Sequence, residues 1–411
     1  MSTVRCSAAF RCIPIALYLF SSPLLAATAT EQPSLEQMVQ AAAARNPGAE
    51  LAAAQRGIGV ALQRKANQPL ASAPTANFKY QTDRIGSDLG YREWEGGVDM
   101  PLWLPGQADA FAREAEQQQG LSDAMQTARD LEIAGEVRQR LWSAALAYSD
   151  AEQARSARDT AQELFNDVKR RVAAGELPRS DSLLAEKELL QREDALQQAL
   201  NRANQAAALF KRYTGFDALA NPAAESPASA DAIDQTHPLL SRLHGEVERA
   251  RAHRDRVRKT QRGGPNLWVG AKSARALSGE DYESAMGIEL SMPFGDAVHN
   301  APDLAEAEAA LTEAQVEYSR ARLQLEDTQS QVVLELERAT GTLAQTERRR
   351  ALANESLKLS RRAFELGETD LVRLLQAQAD ALSARHDYRI RQLQHGQAIA
   401  RLNQASGVIP R

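Results

Sequence analysis

Residues 173–178 read Ala-Ala-Gly-Glu-Leu-Pro and residues 365–370 read Glu-Leu-Gly-Glu-Thr-Asp, so Gly175-Glu176 returns as Gly367-Glu368 about 192 positions later. Each glycine closes a long segment with helical spacing of its apolar residues. Each is followed by helix-starting residues, Ser180-Asp181 and Thr369-Asp370. A residue that accepts a left-handed conformation between two helical patterns marks a helix end and a reversal. Two helical hairpins with exposed tips are the expectation.

Outward from the tips, the helical arms have a coiled-coil rhythm. Ala134, Val137, Leu141, Ala144, Tyr148 and Ala151 step alternately by three and four, as do Leu196, Leu200, Ala203, Ala207 and Phe210. Val332, Leu336, Ala339 and Leu343 repeat the seam in the second hairpin. From Pro105 to Ala174 an unbroken helix would run roughly 105 Å at 1.5 Å per residue. Alanine seams let helices approach closely but bury little area per turn, so such hairpins call for neighbours from other subunits.

Other landmarks recur in the same order. Asn46-Pro47 returns as His237-Pro238, Pro74 as Pro265, Met100-Pro101 as Met292-Pro293, and Gly215 as Gly407. The chain therefore divides into structural repeats at 34–215 and 236–407, joined by a linker at 216–235 and ended by a tail at 408–411. Each repeat runs helix, strand, strand, long helix, shorter helix. The opening helix covers Ser34 to Leu70 in the first, interrupted near Pro47, and Leu239 to Arg262 in the second. The fold class is mainly α with a small β part.

The four short strands alternate in character. Ala76, Phe78, Tyr80 and Thr82 interleave with Asn77, Lys79, Gln81 and Asp83; Trp94, Gly96, Val98 and Met100 interleave with Glu93, Glu95, Gly97 and Asp99. Leu267, Val269 and Ala271, then Met286, Ile288, Leu290 and Met292 against Gly287, Glu289 and Ser291, repeat the pattern. These runs have about the 9 to 11 residues of a tilted transmembrane strand. Soluble hairpins packed on helices share that alternation. Four strands cannot enclose an aqueous pore, but several subunits giving four each can, with Glu93, Glu95, Asp99 and Glu289 facing the lumen. Tyr91, Trp94, Trp103, Trp268 and Tyr282, near strand ends, are placed for the membrane interfaces.

Residues 1–29 read as an export signal: Arg5 and Arg11, an apolar run from Ile13 to Leu25, and cleavage near Ala27-Thr28-Ala29 or Leu25-Ala26-Ala27. Both cysteines, Cys6 and Cys12, leave with it. The remaining chain then has no disulfide, no cysteine ligand and no cysteine at the cleavage site for a lipid anchor.

Composition excludes several function classes. Of 411 residues, 43% are hydrophobic and 25% charged, with a net charge of −5, which argues against a nucleic-acid binder. The basic run Arg249, Arg251, Arg254, Arg256, Arg258, Lys259 and Arg262 is interleaved with Glu246, Glu248 and Asp255, as a solvated helix face near the membrane's inner interface would be. The histidines His237, His244, His253, His299, His386 and His395 form no zinc motif. No phosphate-binding loop or nucleophile elbow is present either. No enzyme, metal site or cofactor is expected.

These landmarks together resemble the TolC-like outer-membrane factor family, over almost all of the chain beyond the leader. The resemblance rests on the doubled plan, on Met100-Pro101-Leu102 and Met292-Pro293-Phe294 before each long helix, and on the tips followed by Asp181-Ser182-Leu183-Leu184 and Asp370-Leu371. It implies a homotrimer in the Gram-negative outer membrane, with a twelve-stranded β-barrel continuous with a twelve-helix periplasmic tunnel. Such a duct is a passive exit for a tripartite efflux system and works with a periplasmic adaptor and an inner-membrane pump. Gly175, Glu176 and Leu177 with Gly367, Glu368 and Thr369 would be adaptor-docking tips, and Asp181 and Asp370 entrance residues, although either aspartate also suits a helix cap. Pro101-Leu102-Trp103-Leu104-Pro105-Gly106-Gln107 and the short strand loops resemble the CzcC-like heavy-metal branch, which implies a pump of the RND class. A multidrug or type I secretion duct, or a periplasmic coiled-coil adaptor, are the alternatives.

Overall fold

The computed structural model describes residues 32–46, 48–229, 233, 235–294 and 296–410. The leader, Pro47 of the first landmark pair, part of the linker and Arg411 of the tail lie outside the described residues. From Leu35 onward the described residues form one compact unit.

Helices α1 (Leu35–Arg45) and α2 (Ala49–Ala66) precede strands β1 (Thr75–Thr82) and β2 (Arg92–Pro101), and α3 (Gln107–Ala173) and α4 (Arg179–Thr214) make the first hairpin. After α5 (Pro238–Thr260) come β3 (Asn266–Arg275), β4 (Glu283–Ser291), the single turn α6 (Asp296–His299), and the second hairpin of α7 (Ala301–Glu365) and α8 (Leu371–Ala405). The 67 residues of α3 give a rod of about 100 Å. Among the described residues no helix is long and apolar enough to cross a membrane.

Packing follows the alanine seams. Ile133, Ala134, Val137 and Leu141 of α3 enclose a core with Met38, Val39 and Ala42 of α1 and Phe210 of α4. Lower in the hairpin Ala151 meets Ala199 and Ala203. Buried Trp142 and Ala145 join α3 to Leu393 and Ala400 of α8, and Gly396 makes room for the indole: a Cβ there would stand 3.0 Å from Trp142 Cζ3. By contrast, only Ala307, Leu311, Val332 and Phe364 are buried in all of α7, while Val316, Leu323, Leu334, Leu352 and Leu359 lie exposed.

Polar ties fix the remaining elements. Arg138, almost wholly buried, forks onto Glu225 at 2.9 and 2.6 Å and also donates to Gln404 Oε1 (2.7 Å) and the Val408 carbonyl (3.0 Å). Asn403 donates to Glu225 and to the Ser226 carbonyl and accepts from the Ala228 amide. The linker is thereby strapped over α3 and the end of α8 by a bidentate pair, the geometry in which a buried ion pair is most favourable. The basic run of α5 is partly used internally, because His253 (2.8 Å) and Arg256 both bond the buried Glu114 of α3.

Strand passes to helix through a tight joint. The Leu102 amide donates to the Pro265 carbonyl (2.8 Å), Trp103 Nε1 to the Gln68 carbonyl (2.9 Å), and Gln107 Nε2 to the Lys259 and Arg262 carbonyls (3.1 Å each). Gly106, at φ 80°, makes the turn into α3. The sequence Pro101 to Gln107 thus closes the base of the sheet onto α3 and α5.

Two outcomes are expected. Gly396→Leu should overfill the Trp142 site and lower stability by about 1–3 kcal/mol, read from thermal unfolding in detergent. Burial pushes the Glu114 carboxyl up, but the His253 hydrogen bond and the Arg256 charge outweigh it and hold the value below the ordinary carboxylate range. Their contribution is present at neutral pH and is lost as pH falls through that lowered value, so Glu114→Gln should be less stable at neutral pH and converge with the unaltered protein in acid.

Candidate functional site

The four strands form one antiparallel sheet in the order β1-β2-β3-β4, and no described residue pairs with the outer edge of β1 or of β4. Because side chains alternate, the register sorts the sheet into two faces. Tyr80 pairs with Trp94, Val98 with Val269, and Val269 with Ile288, so Phe78, Tyr80, Trp94, Val98, Val269, Met286, Ile288 and Leu290 share one face. That face is bare: Phe78 is 71% and Met286 87% exposed. Its aromatics cluster, with the Trp94 ring 4.3 Å from Tyr80 and 5.6 Å from Phe78.

The opposite face is polar. Lys79 pairs with Glu95, Glu95 with Lys272, Asp99 with Trp268, and Trp268 with Glu289. Glu93, only 3% exposed, lies 2.7 Å from Lys272 Nζ and 3.6 Å from Lys79 Nζ, and Lys79 also reaches Glu95 at 3.8 Å. Asp99 accepts from Asn266 (2.7 Å) and from Asn77, so amides rather than a cation hold it. With Glu283 included, five carboxylates stand on this face against two lysines. The expected lumen residues Glu93, Glu95, Asp99 and Glu289 all stand on it.

The aromatic expectations divide. Trp94 is on the apolar face, and Tyr282 stands beside the strand end with Arg275 5.4 Å above its ring. Tyr91 instead donates its hydroxyl to Glu93, and Trp268 stands between Asp99 and Glu289; both belong to the polar side. Alternation places Trp268 out of phase with Leu267 and Val269, so the sequence held this signal; nearness to a strand end hid it. The Lys79–Glu93–Lys272 ladder had no such signal, because cross-strand partners need the register.

At the far end of the hairpins, the tips are built alike. Gly175 (φ 80°) and Gly367 (φ 75°) end α3 and α7; Glu176 N donates to the Arg171 carbonyl and Glu368 N to the Ala363 carbonyl, both at 2.9 Å. These bonds satisfy carbonyls that the helix end would otherwise orphan. Leu164 and Val168 pack with Phe364, Leu371 and Leu374, so the tips share one core, and the Arg171 guanidinium lies 4.8 Å over Phe364. Gly175, Glu176, Gly367 and Glu368 are exposed, while Leu177 and Thr369 are half-buried. The two aspartates differ. Asp370 is the N-cap of α8 and accepts from the Arg373 amide at 2.8 Å, whereas Asp181 lies inside the first turn of α4, whose N-cap position is Pro178. The capping expectation therefore fails for Asp181, since the helix starts two residues earlier.

Among the described residues, no group of three or more His, Cys, Asp or Glu side chains is arranged to hold a metal ion.

Residues 231–408 match the family described as outer membrane efflux protein. No curated protein matches the chain. Among solved structures, the chain is similar to CusC (14% identity, TM-score 0.72, 92% of this chain and 96% of that one). It is also similar to the outer membrane protein VceC of Vibrio cholerae (16%, 0.71, 91% and 96%) and to the MtrE outer membrane channel of Neisseria gonorrhoeae in its open state (18%, 0.70, 92% and 89%). At these identities the likeness is one of fold, and it extends along nearly the whole length.

The unequal aspartates predict unequal variants. Asp370→Ala should lose a cap worth about 1 kcal/mol and speed amide exchange in the first turn of α8. Asp181→Ala should lose only a favourable dipole contact, roughly 0.3–1 kcal/mol, with little change in exchange at the start of α4.

Proposed function

We propose that this chain, which carries an outer membrane efflux protein domain on the fold of the TolC-like channels, is the outer-membrane exit duct of a tripartite efflux system. The observation that carries this reading is the sheet: an apolar face with large exposed side chains, an acidic face, and two edges that no described residue pairs with, on one four-stranded unit. Such a unit is satisfied when its edges pair with other copies, its apolar face meets lipid and its polar face meets water. Three copies supply twelve strands, and the two hairpins of each supply twelve helices below them. The exposed apolar residues of α7 then become contacts between subunits. The duct performs no chemistry; it offers a water-filled route, and an inner-membrane pump supplies the energy.

The carboxylates of the polar face give the lumen a negative field that favours cations. The paired tips are the surface for a periplasmic adaptor, with Gly175, Glu176, Leu177, Gly367, Glu368 and Thr369 at the contact. Asp181 and Asp370, brought near one another by assembly, make the entrance responsive to pH and divalent ions. The finer reading is heavy-metal efflux with an RND-class pump. Its support is the sequence of the Pro101 to Gln107 joint and the short strand loops.

Outer-membrane fractionation with mass measurement in mild detergent should give a trimer; a soluble monomer would sink the duct reading. In planar bilayers the channel should prefer cations, and the double variant Glu95→Gln with Glu289→Gln should weaken that preference. Deletion of the gene should sensitise cells to metals such as zinc, cobalt, cadmium, copper or silver. Sensitisation to organic toxicants alone would move the cargo to the multidrug class.

A further inference from the structure

The polar face of the sheet contains one row without side chains. Gly97, Gly270 and Gly287 pair in register across β2, β3 and β4. Trp268, two residues before Gly270 on the same face, lies across all three. A Cβ at Gly97 would stand 2.5 Å from Trp268 Cε2 and 2.7 Å from Cζ2; one at Gly270 would stand 2.7 Å from Cη2, and one at Gly287 3.1 Å from Cζ3. None of the three glycines has a positive φ, so backbone conformation does not demand them. At Gly97 and Gly287 the indole does, because it occupies the space in which their side chains would stand; at Gly270 the Gly96 carbonyl oxygen, 2.5 Å from where a Cβ would stand, crowds that space as well.

Three glycines in register are costly in a strand, roughly 0.5–1 kcal/mol each relative to alanine. A ring laid over them covers the exposed backbone and offsets part of that cost. Cover alone, however, is available on either face, and here the ring is the single aromatic among the strand residues of the polar face. It is half-buried, with one side on the glycines and Asp99 and Glu289 flanking it in register.

We propose that Trp268, parked flat on the glycine row, sets the bore of the channel and so the size of cargo that passes. This rests on the duct reading above, in which the polar face lines the lumen. Flat on the sheet, the indole takes only its own thickness from the pore. Lifted off it, three copies would project from three sides toward the axis. The glycines are the positioning residues of this arrangement, and Trp268 is the residue that cargo meets.

The test is single-channel recording of the full-length protein purified from outer membranes, with graded polyethylene glycols to size the pore. At Gly97 the crowding atoms are all from the movable indole, so Gly97→Val should lift the ring, reduce conductance roughly two-fold and admit only smaller polymers. Trp268→Ala should conduct slightly more than the unaltered protein, and adding it to Gly97→Val should restore conductance. That rescue separates a lifted ring from a distorted barrel. Should Gly97→Val fail to assemble, Trp268→Ala and the milder Gly287→Ala carry the test. Assembled trimers of Trp268→Ala with unchanged conductance and unchanged polymer cut-off would overturn the proposal, leaving the ring as backbone cover. An unaltered protein that forms no channel would instead overturn the duct reading, and this inference with it.

Discussion

Every other feature of the chain answers to one constraint: the unpaired backbone edges of its four-stranded sheet. A strand edge is a row of hydrogen-bond donors and acceptors, costly to leave bare in water and prohibitive in lipid. The sheet here has two such edges and cannot close by itself. It also presents large apolar side chains on the face opposite its charges, and among the described residues no helix covers them. In the proposed duct, closure with other copies would resolve both demands at once. The acidic face would then turn inward, where water can solvate it.

The helices answer the same demand at a distance. Alanine seams bring α3 and α4 close, with Trp142 against Gly396 locking α8 onto α3. They leave α7 with few buried residues, so helix packing within one chain is as incomplete as strand pairing. The joint around Gln107, Trp103 and the Leu102 amide links the two regions, because the Leu102 amide ties the end of β2 to the start of β3, Trp103 ties the same segment to the residues after α2, and Gln107 ties the start of α3 to the end of α5. In the proposed assembly, closing the barrel would therefore fix the top of the helices.

Charge is arranged by depth. At the sheet, carboxylates outnumber lysines, and the Lys79–Glu93–Lys272 ladder keeps its buried member paired. At the upper helices, Glu114 ties α5 to α3, and lower down Arg138 straps the linker. At the tips, Glu176 pairs with Arg171 at 3.2 Å, while Glu368 and the capping Asp370 stand beside the turn that Gly367 makes.

The sequence by itself determined the elements and their order, since helical period, strand alternation and Gly175 and Gly367 are local signals that need no partner. It also determined which strand residues share a face, because alternation is a property of one strand; Trp268 could have been assigned to the polar side on that ground. Only the tertiary structure decided what depends on neighbours distant in sequence. The register joins Glu93 to Lys79 and Lys272 and lays Trp268 over three glycines on three strands. Contacts of this kind are set by how strands and helices pair in space, and a one-residue shift in register would dissolve them while leaving every local pattern intact.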